Sequence, residues 1–296
     1  LSNTNYEKSS VITDEEGKRR GYKLATLRGV IGDGGIIEDT RFGTMKEHDL
    51  SLSRDMILNS PVLKPGNILV NDRGFLSREI INELKTRREV DTYVPLRKNM
   101  AAFEEAVSLA KEADEWSAHP NRKRSRQKIA FVQGLGDMWR SEKTEEDVPI
   151  NGCVVWDTKK DEMFVFVTTD IKASAKRIIQ TYEMRPEIEE EYRQLKDFWQ
   201  MDDLKSTKFH MIAYHVVCTL LGYLLFQLYT ATQEGSKWAG RCLPVIVKKY
   251  TEDLPKTVII YAGQHFACFA FLEFIQLYAS LPPEPRLELD QILRLV

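Results

Sequence analysis

Tyr182-Glu183-Met184-Arg185-Pro186-Glu187-Ile188-Glu189, continued by Tyr192-Arg193-Gln194-Leu195-Lys196, decides the reading of this chain. Taken as Tyr-x2-Arg-x3-Glu-x6-Lys, it sets a phenol, a guanidinium, a carboxylate and an ammonium at fixed offsets. That mixture suits a site that holds a metal ion and grips a phosphodiester backbone. At about 100° per residue, Ile188, Tyr192, Leu195 and Trp199 make one apolar stripe, so this face packs on a core. Glu189 and Lys196 then fall about 20° apart on one shoulder of the stripe. Glu191 lies on the other shoulder, Glu187 beyond it, and Glu190 points away. Pro186 fits the first helical turn, where its missing N–H does no harm. Tyr182 and Arg185 are thereby set at or just before a helix start, where backbone N–H groups favour phosphate. An acidic helix start stabilised by the macrodipole is the plain alternative and stays open on this stretch alone.

A second acid lies far upstream, in Leu69-Val70-Asn71-Asp72-Arg73-Gly74-Phe75. The run 67–71 after Pro65-Gly66 reads as a buried strand, and Asp72 sits at its end. By itself such an Asp is a common turn residue. Before it, 21–31 and 35–42 alternate like the strands of a hairpin about Asp33-Gly34-Gly35, and a helix is expected over 47–58. Asp49 is expected to cap or orient that helix. After Asp72, Ser77 is an N-cap for a helix over 78–87, and 91–96 is a strand that Pro95 ends. Residues 101–113 read as a helix, and 129–132, 152–156 and 163–168 as short strands. Helices are expected over 173–199 and 208–232, and a mainly helical tail from Lys237.

The chain has 296 residues, 43% of them hydrophobic and 29% charged, with a net charge of −2. That is a globular composition with a sizeable core, and too neutral for a simple basic DNA-binding module. The four cysteines make no C-x2-C pair, which excludes a zinc signature, and a reducing compartment is the simplest reading. Met211 to Thr230 has nearly the length of a membrane span, but its His215, Gln227 and Tyr residues favour a buried core helix. The opening Leu1-Ser2-Asn3-Thr4 has no initiator Met and turns polar at once, which reads as a start inside a domain. Arg122, Lys123 and Arg124 head a basic run to Lys128 that suits either a DNA backbone or a solvated loop.

Together the two acidic stretches resemble the bacterial insertion-sequence transposases of the DDE type whose third motif is known as YREK. The resemblance covers most of the chain, up to about Thr232. It implies an α/β fold: an RNase H-like mixed sheet flanked by helices, a β-rich insertion between the second and third acids, and a helical C-terminal region. On that basis 1–99 and 171–235 are the two parts of the core, 100–170 the insertion and 236–296 the tail. Asp72 is implied as the second acid and Glu189 as the third, together holding two Mg²⁺ or Mn²⁺ ions. The family expects an Asp, followed closely by Thr, at the end of the first strand; here the position reads Asn3. An amide offers only a neutral oxygen, so metal affinity and turnover are expected to fall. Tyr182, Arg185 and Lys196 are implied to hold DNA phosphates.

The implied activity is metal-dependent cleavage of transposon ends followed by 3′-OH strand transfer. The implied partners are double-stranded DNA with inverted-repeat ends and a second copy of the chain, in a bacterial cytoplasm at the nucleoid and away from membranes. End processing commonly turns a base out of the stack, and Trp139 and Trp156 are candidates to receive it, against core packing as the plainer role. A non-catalytic DNA-binding scaffold, which Asn3 favours, and a simple RNase H-like nuclease are the competing functions.

Overall fold

The computed structural model describes residues 5–14, 17–31, 34–135, 139, 148–238, 241, 243–253, 257–262 and 265–287; Asn3 lies outside them. The chain divides into two compact units, residues 1–29 with 37–219 and residues 30–36 with 220–296.

The larger unit is built on a six-stranded mixed sheet. Its strands are β4 (Ile68–Val70), β5 (Asp91–Pro95), β6 (Ser117–Ala118), β7 (Gln127–Val132), β8 (Asn151–Asp157) and β9 (Glu162–Thr168), in the order β4-β5-β9-β8-β7-β6. β4 and β5 run parallel, joined by α2 (Arg78–Arg88), and every other pair is antiparallel. The strands of the segment 100–170 therefore continue the sheet begun by the strand that carries Asp72. Successive side chains of a strand face opposite ways, and this sheet is covered on both sides. Val94, Val154, Val165 and Val167 pack with Ala102, Ala106 and Ala110 of α3 (Ala101–Ala113). The alternate residues Tyr93, Cys153 and Val155 pack on the other face with Ile178 and Ile179 of α4 (Ala175–Tyr182). Three alanines at four-residue spacing let α3 lie close to the sheet.

Three further strands, β1 (Ser10–Asp14), β2 (Gly17–Ile31) and β3 (Gly34–Thr44), form a ladder of their own, β1-β2-β3. The hairpin expected over 21–42 is present with longer strands, and β1 is an addition to it. Ala25 and Leu27 of β2 share a core with Met56 and Ile57 of α1 (Asp49–Asn59), Ile80 and Leu84 of α2, and Leu69 of β4. His48, not Asp49, caps α1: its Nδ1 accepts from the Leu50 N–H at 3.3 Å. Asp49 instead pairs with Lys23 at 2.8 Å. Ser77 caps α2 as expected.

The helical stretch expected over 173–199 is two helices, α4 and α5 (Pro186–Asp197), and the second starts at Pro186 as its first-turn reading expects. Pro186 has no N–H, and its ring crowds the carbonyl four residues back. The chain answers with three-residue hydrogen bonds, Met184 to Thr181, Arg185 to Tyr182, Glu187 to Met184 and Ile188 to Arg185. The break leaves Tyr182 at the end of one helix and Arg185 at the head of the next.

α5 docks on the other face of β2. Tyr192 Oη is 2.9 Å from Thr26 Oγ1 and donates to the Leu24 carbonyl at 3.3 Å. Arg28 reaches Glu187 at 2.9 Å and Glu191 at 3.1 Å. The apolar stripe is real, with Leu195 fully buried, but Glu191 on its shoulder is only 5% exposed and owes that position to Arg28.

Helix α6 (Phe209–Thr230) is long and apolar enough to cross a membrane. The expectation of a buried core helix is met on one stripe only. Ile212, Val216, Leu220 and Tyr223 are buried, whereas Met211, Tyr214, Val217 and Leu221 are exposed, because the helix is apolar all round and only one side is covered. The smaller unit also holds α7 (Gln233–Ser236), α8 (Leu243–Asp253), β10 (Thr257–Ala262), β11 (His265–Ala270) and α9 (Phe271–Ser280). Among the described residues the tail is mainly helical, as expected, but it also contains a hairpin: TVIIYA and HFACFA are β-branched and aromatic, and they pair antiparallel. Trp139 is a core residue, 1% exposed, its indole N–H given to Asn82 Oδ1 at 2.9 Å, so it is no platform for a base. Trp156 packs its ring on Trp116 and donates to Asp161.

Arg28 is 13% exposed and Glu191 5%, so removing Arg28 takes a cation from beside a buried carboxylate. Arg28→Ala is expected to cost about 3 kcal/mol of unfolding free energy in urea, with part regained on adding Glu191→Gln. A cost below about 0.5 kcal/mol would show that α5 is held by its apolar stripe alone.

Candidate active site

Asp72 follows β4 and caps a short 3-10 turn, Arg73–Phe75. Its Oδ1 accepts from the Arg73 N–H at 2.7 Å, which fixes the carboxylate plane and turns Oδ2 outward. Glu189 stands one turn into α5, and Arg185 stands at its head. The Nη2 atom of Arg185 lies 3.0 Å from Asp72 Oδ2 and 2.9 Å from Glu189 Oε1. One nitrogen thus touches both acids, and the two oxygens lie no farther apart than these two distances laid end to end, about 6 Å. Residues more than a hundred positions apart in the chain meet here because α5 begins where β4 ends.

Tyr182 packs its ring on Phe166 of β9, centroids 4.7 Å apart. Burial pushes its phenol pKa up, against a smaller opposing pull from Arg185. A cleft of about 250 Å³ opens beside these groups. Asp72, Arg73, Lys98, Tyr182 and Arg185 give it polar walls, and Phe103, Phe164 and Phe166 line its apolar side. Lys196 is exposed in the last turn of α5, about 10 Å along the axis from Glu189, and does not line this cleft.

The basic run is tied to the helix break. Residues Arg122–Arg124 form a 3-10 turn capped by Asn121. Arg124 Nε lies 2.8 Å from Oε1 of Glu183, the residue after Tyr182, off the line of a hydrogen bond. On the other side of that oxygen is His119, whose side chain is fully enclosed. Its Nδ1 accepts from the Asn121 N–H at 3.1 Å, so the neutral ring carries its proton on Nε2, facing Glu183 at 3.8 Å. Burial lowers the His119 pKa, more than Glu183 raises it. Arg122 and Lys123 are exposed beside this anchor.

Of the residues singled out in the sequence, the structure brings Asp72, Tyr182, Arg185 and Glu189 together. It leaves Lys196 apart and gives Arg124 an internal partner. Arg28, His119, Glu183, Arg73 and Lys98 escape sequence reasoning. Only Arg28 leaves a signal, as a charge among the alternating residues of β2.

Two carboxylates from separate elements sharing one cation are the donor chemistry of a hard divalent ion. Among the described residues, no group of three or more His, Cys, Asp or Glu side chains is arranged to hold a metal. The site as described therefore offers two acid ligands. Comparison with curated proteins and with solved structures returns no match. The sequence profile of the Transposase DDE domain family matches residues 4–225 of the 296-residue chain. That span takes in both acids, the helix break between them and the sheet that carries them, and the chain belongs to the DDE transposase domain family.

Proposed function

We propose that this chain is the catalytic core of a DNA transposase of the YREK type, of bacterial insertion-sequence origin, which cleaves transposon ends and joins the freed 3′-OH to another strand. The observation that carries the reading is the meeting of Asp72 and Glu189 on one guanidinium nitrogen. Asp72 and Glu189 would hold Mg²⁺ or Mn²⁺, and Asn3 stands where the family has its first acid. A bound divalent cation supplies charge compensation and polarisation at phosphorus. The protein's own part is positioning. The backbone N–H of Arg73 orients Asp72, and the docking of α5 on β2 orients Glu189. The Tyr182 phenol and the Arg185 fork hold the phosphate beside the cleaved end, and Lys196 holds another farther along α5. Pairing of two copies on two ends is part of the same reading.

The direct test is a strand-transfer assay with pre-cleaved ends and Mn²⁺. Joining that Asp72→Asn and Glu189→Gln each abolish supports the transposase. Nicking without joining points to a nuclease, and binding alone to a scaffold. Asn3→Asp is expected to raise Mg²⁺-dependent cleavage, and no gain would remove Asn3 from the acid set. The salt dependence of DNA binding checks the basic turn. Replacing Arg122 and Lys123 by Ala is expected to flatten the log K against log salt slope by about 1 for each phosphate that the turn no longer touches. Glu183→Ala, which frees the turn from its anchor, is expected to flatten it in the same direction. An unchanged slope in both would return the run to a solvated loop.

A further inference from the structure

We infer that Arg185 is a displaceable counter-cation: it occupies the seat between Asp72 and Glu189 until a DNA phosphate draws it out, so that divalent-cation affinity rises when DNA binds. The inference rests on the proposed metal site and concerns its regulation.

The geometry of the guanidinium carries the argument. An Arg offers a phosphate two bidentate forks, Nη1 with Nη2 or Nε with Nη2, and both use Nη2. In this structure Nη2 donates to Asp72 Oδ2 at 3.0 Å and lies 2.9 Å from Glu189 Oε1. Asp72 takes one Nη2 hydrogen and Glu189 crowds the same nitrogen, so Arg185 cannot offer both forks freely to a phosphate while it bridges the acids. A divalent cation, in turn, cannot be held between the two acids while a guanidinium fills that place. Phosphate and metal are on the same side of one exchange: each is favoured by the departure of Arg185 from the carboxylates.

The exchange is within reach energetically. The Arg185 side chain is 25% exposed, Asp72 44% and Glu189 62%. Ion pairs on such a wet rim are weak, unlike a buried pair. The acids themselves need not move. Asp72 is held by the Arg73 N–H, and Glu189 rides on a helix docked to β2. The guanidinium also has somewhere to go. Arg185 already lines the cleft of about 250 Å³, whose walls include Arg73, Lys98 and Tyr182, groups suited to receive the same phosphate. Coupling of this kind is reciprocal, so bound metal must tighten DNA by the factor by which DNA tightens metal.

Titration of the whole chain with Mn²⁺, with and without an end-containing duplex, tests the exchange. Wild type is expected to bind Mn²⁺ weakly alone and more tightly with DNA. Arg185→Gln is expected to bind Mn²⁺ about tenfold more tightly than wild type without DNA, and to gain less when DNA is added. Arg193→Gln removes a cation of α5 that pairs with Glu190 and Asp197 and not with the two acids. It is expected to leave Mn²⁺ affinity unchanged, which separates the seat from a general field. Arg185→Lys keeps the charge but not the fork, and is expected to lose part of the DNA-dependent gain. Equal DNA-free Mn²⁺ affinity in wild type and Arg185→Gln would overturn the exchange, as would an equal rise in Arg193→Gln. Mn²⁺ binding that Asp72→Asn leaves untouched would overturn the metal site itself, and the exchange with it.

Discussion

The candidate site of the larger unit turns on one contact, the bridge of Arg185 between Asp72 and Glu189. Two like charges brought this close repel unless a cation lies between them. The Asp72 carboxylate arrives at the end of β4, and the Glu189 carboxylate arrives in the first turn of α5. Whatever sits between them must be positive. In this structure it is a side chain of the protein itself, and in the reading proposed above it becomes a divalent ion when the substrate is present.

Much of the remaining structure serves to aim α5. Pro186 breaks the helical path and puts Arg185 at a helix head instead of in a helix interior. Tyr192 and Arg28 then fasten α5 to β2. β2 shares its opposite face with α1, α2 and β4, so the strand that ends at Asp72 and the helix that carries Glu189 are built on one core. His119 and Glu183 add a second tie, from the basic turn to the break before α5. In the reading proposed above, the phosphate would meet a helix end, where the backbone adds its own positive pole.

How much of this is legible in the sequence depends on whether the signal is local. The strand ending at Asp72, the Ser77 cap and the alternation of β8 and β9 are written within a few residues each, and the structure follows them. The helix break is half legible: Pro186 marks a first turn, but the run before it reads as helical too, and only the three-residue hydrogen bonds show where the path is interrupted. Glu191 reads as a shoulder residue and is one, but its burial is not legible nearby, because its partner Arg28 is far upstream. The hairpin of TVIIYA and HFACFA hides within a region that reads as helical, though both segments carry β-branched and aromatic side chains. Trp139 looks available in sequence and is enclosed, a matter that only Asn82 and the packing of α3 decide. Glu183 looks like one acid among many, and nothing near it in sequence announces His119 or Arg124.

The central claim is that Asp72 and Glu189 act as one cation site. A double-mutant cycle on Mn²⁺ affinity measures this most directly, with Asp72→Asn, Glu189→Gln and the pair titrated under one set of conditions. The account gives a large loss for each single change and little further loss for the pair, since either acid alone no longer makes the seat. Losses that simply add, or a single change that leaves Mn²⁺ affinity intact, would contradict it.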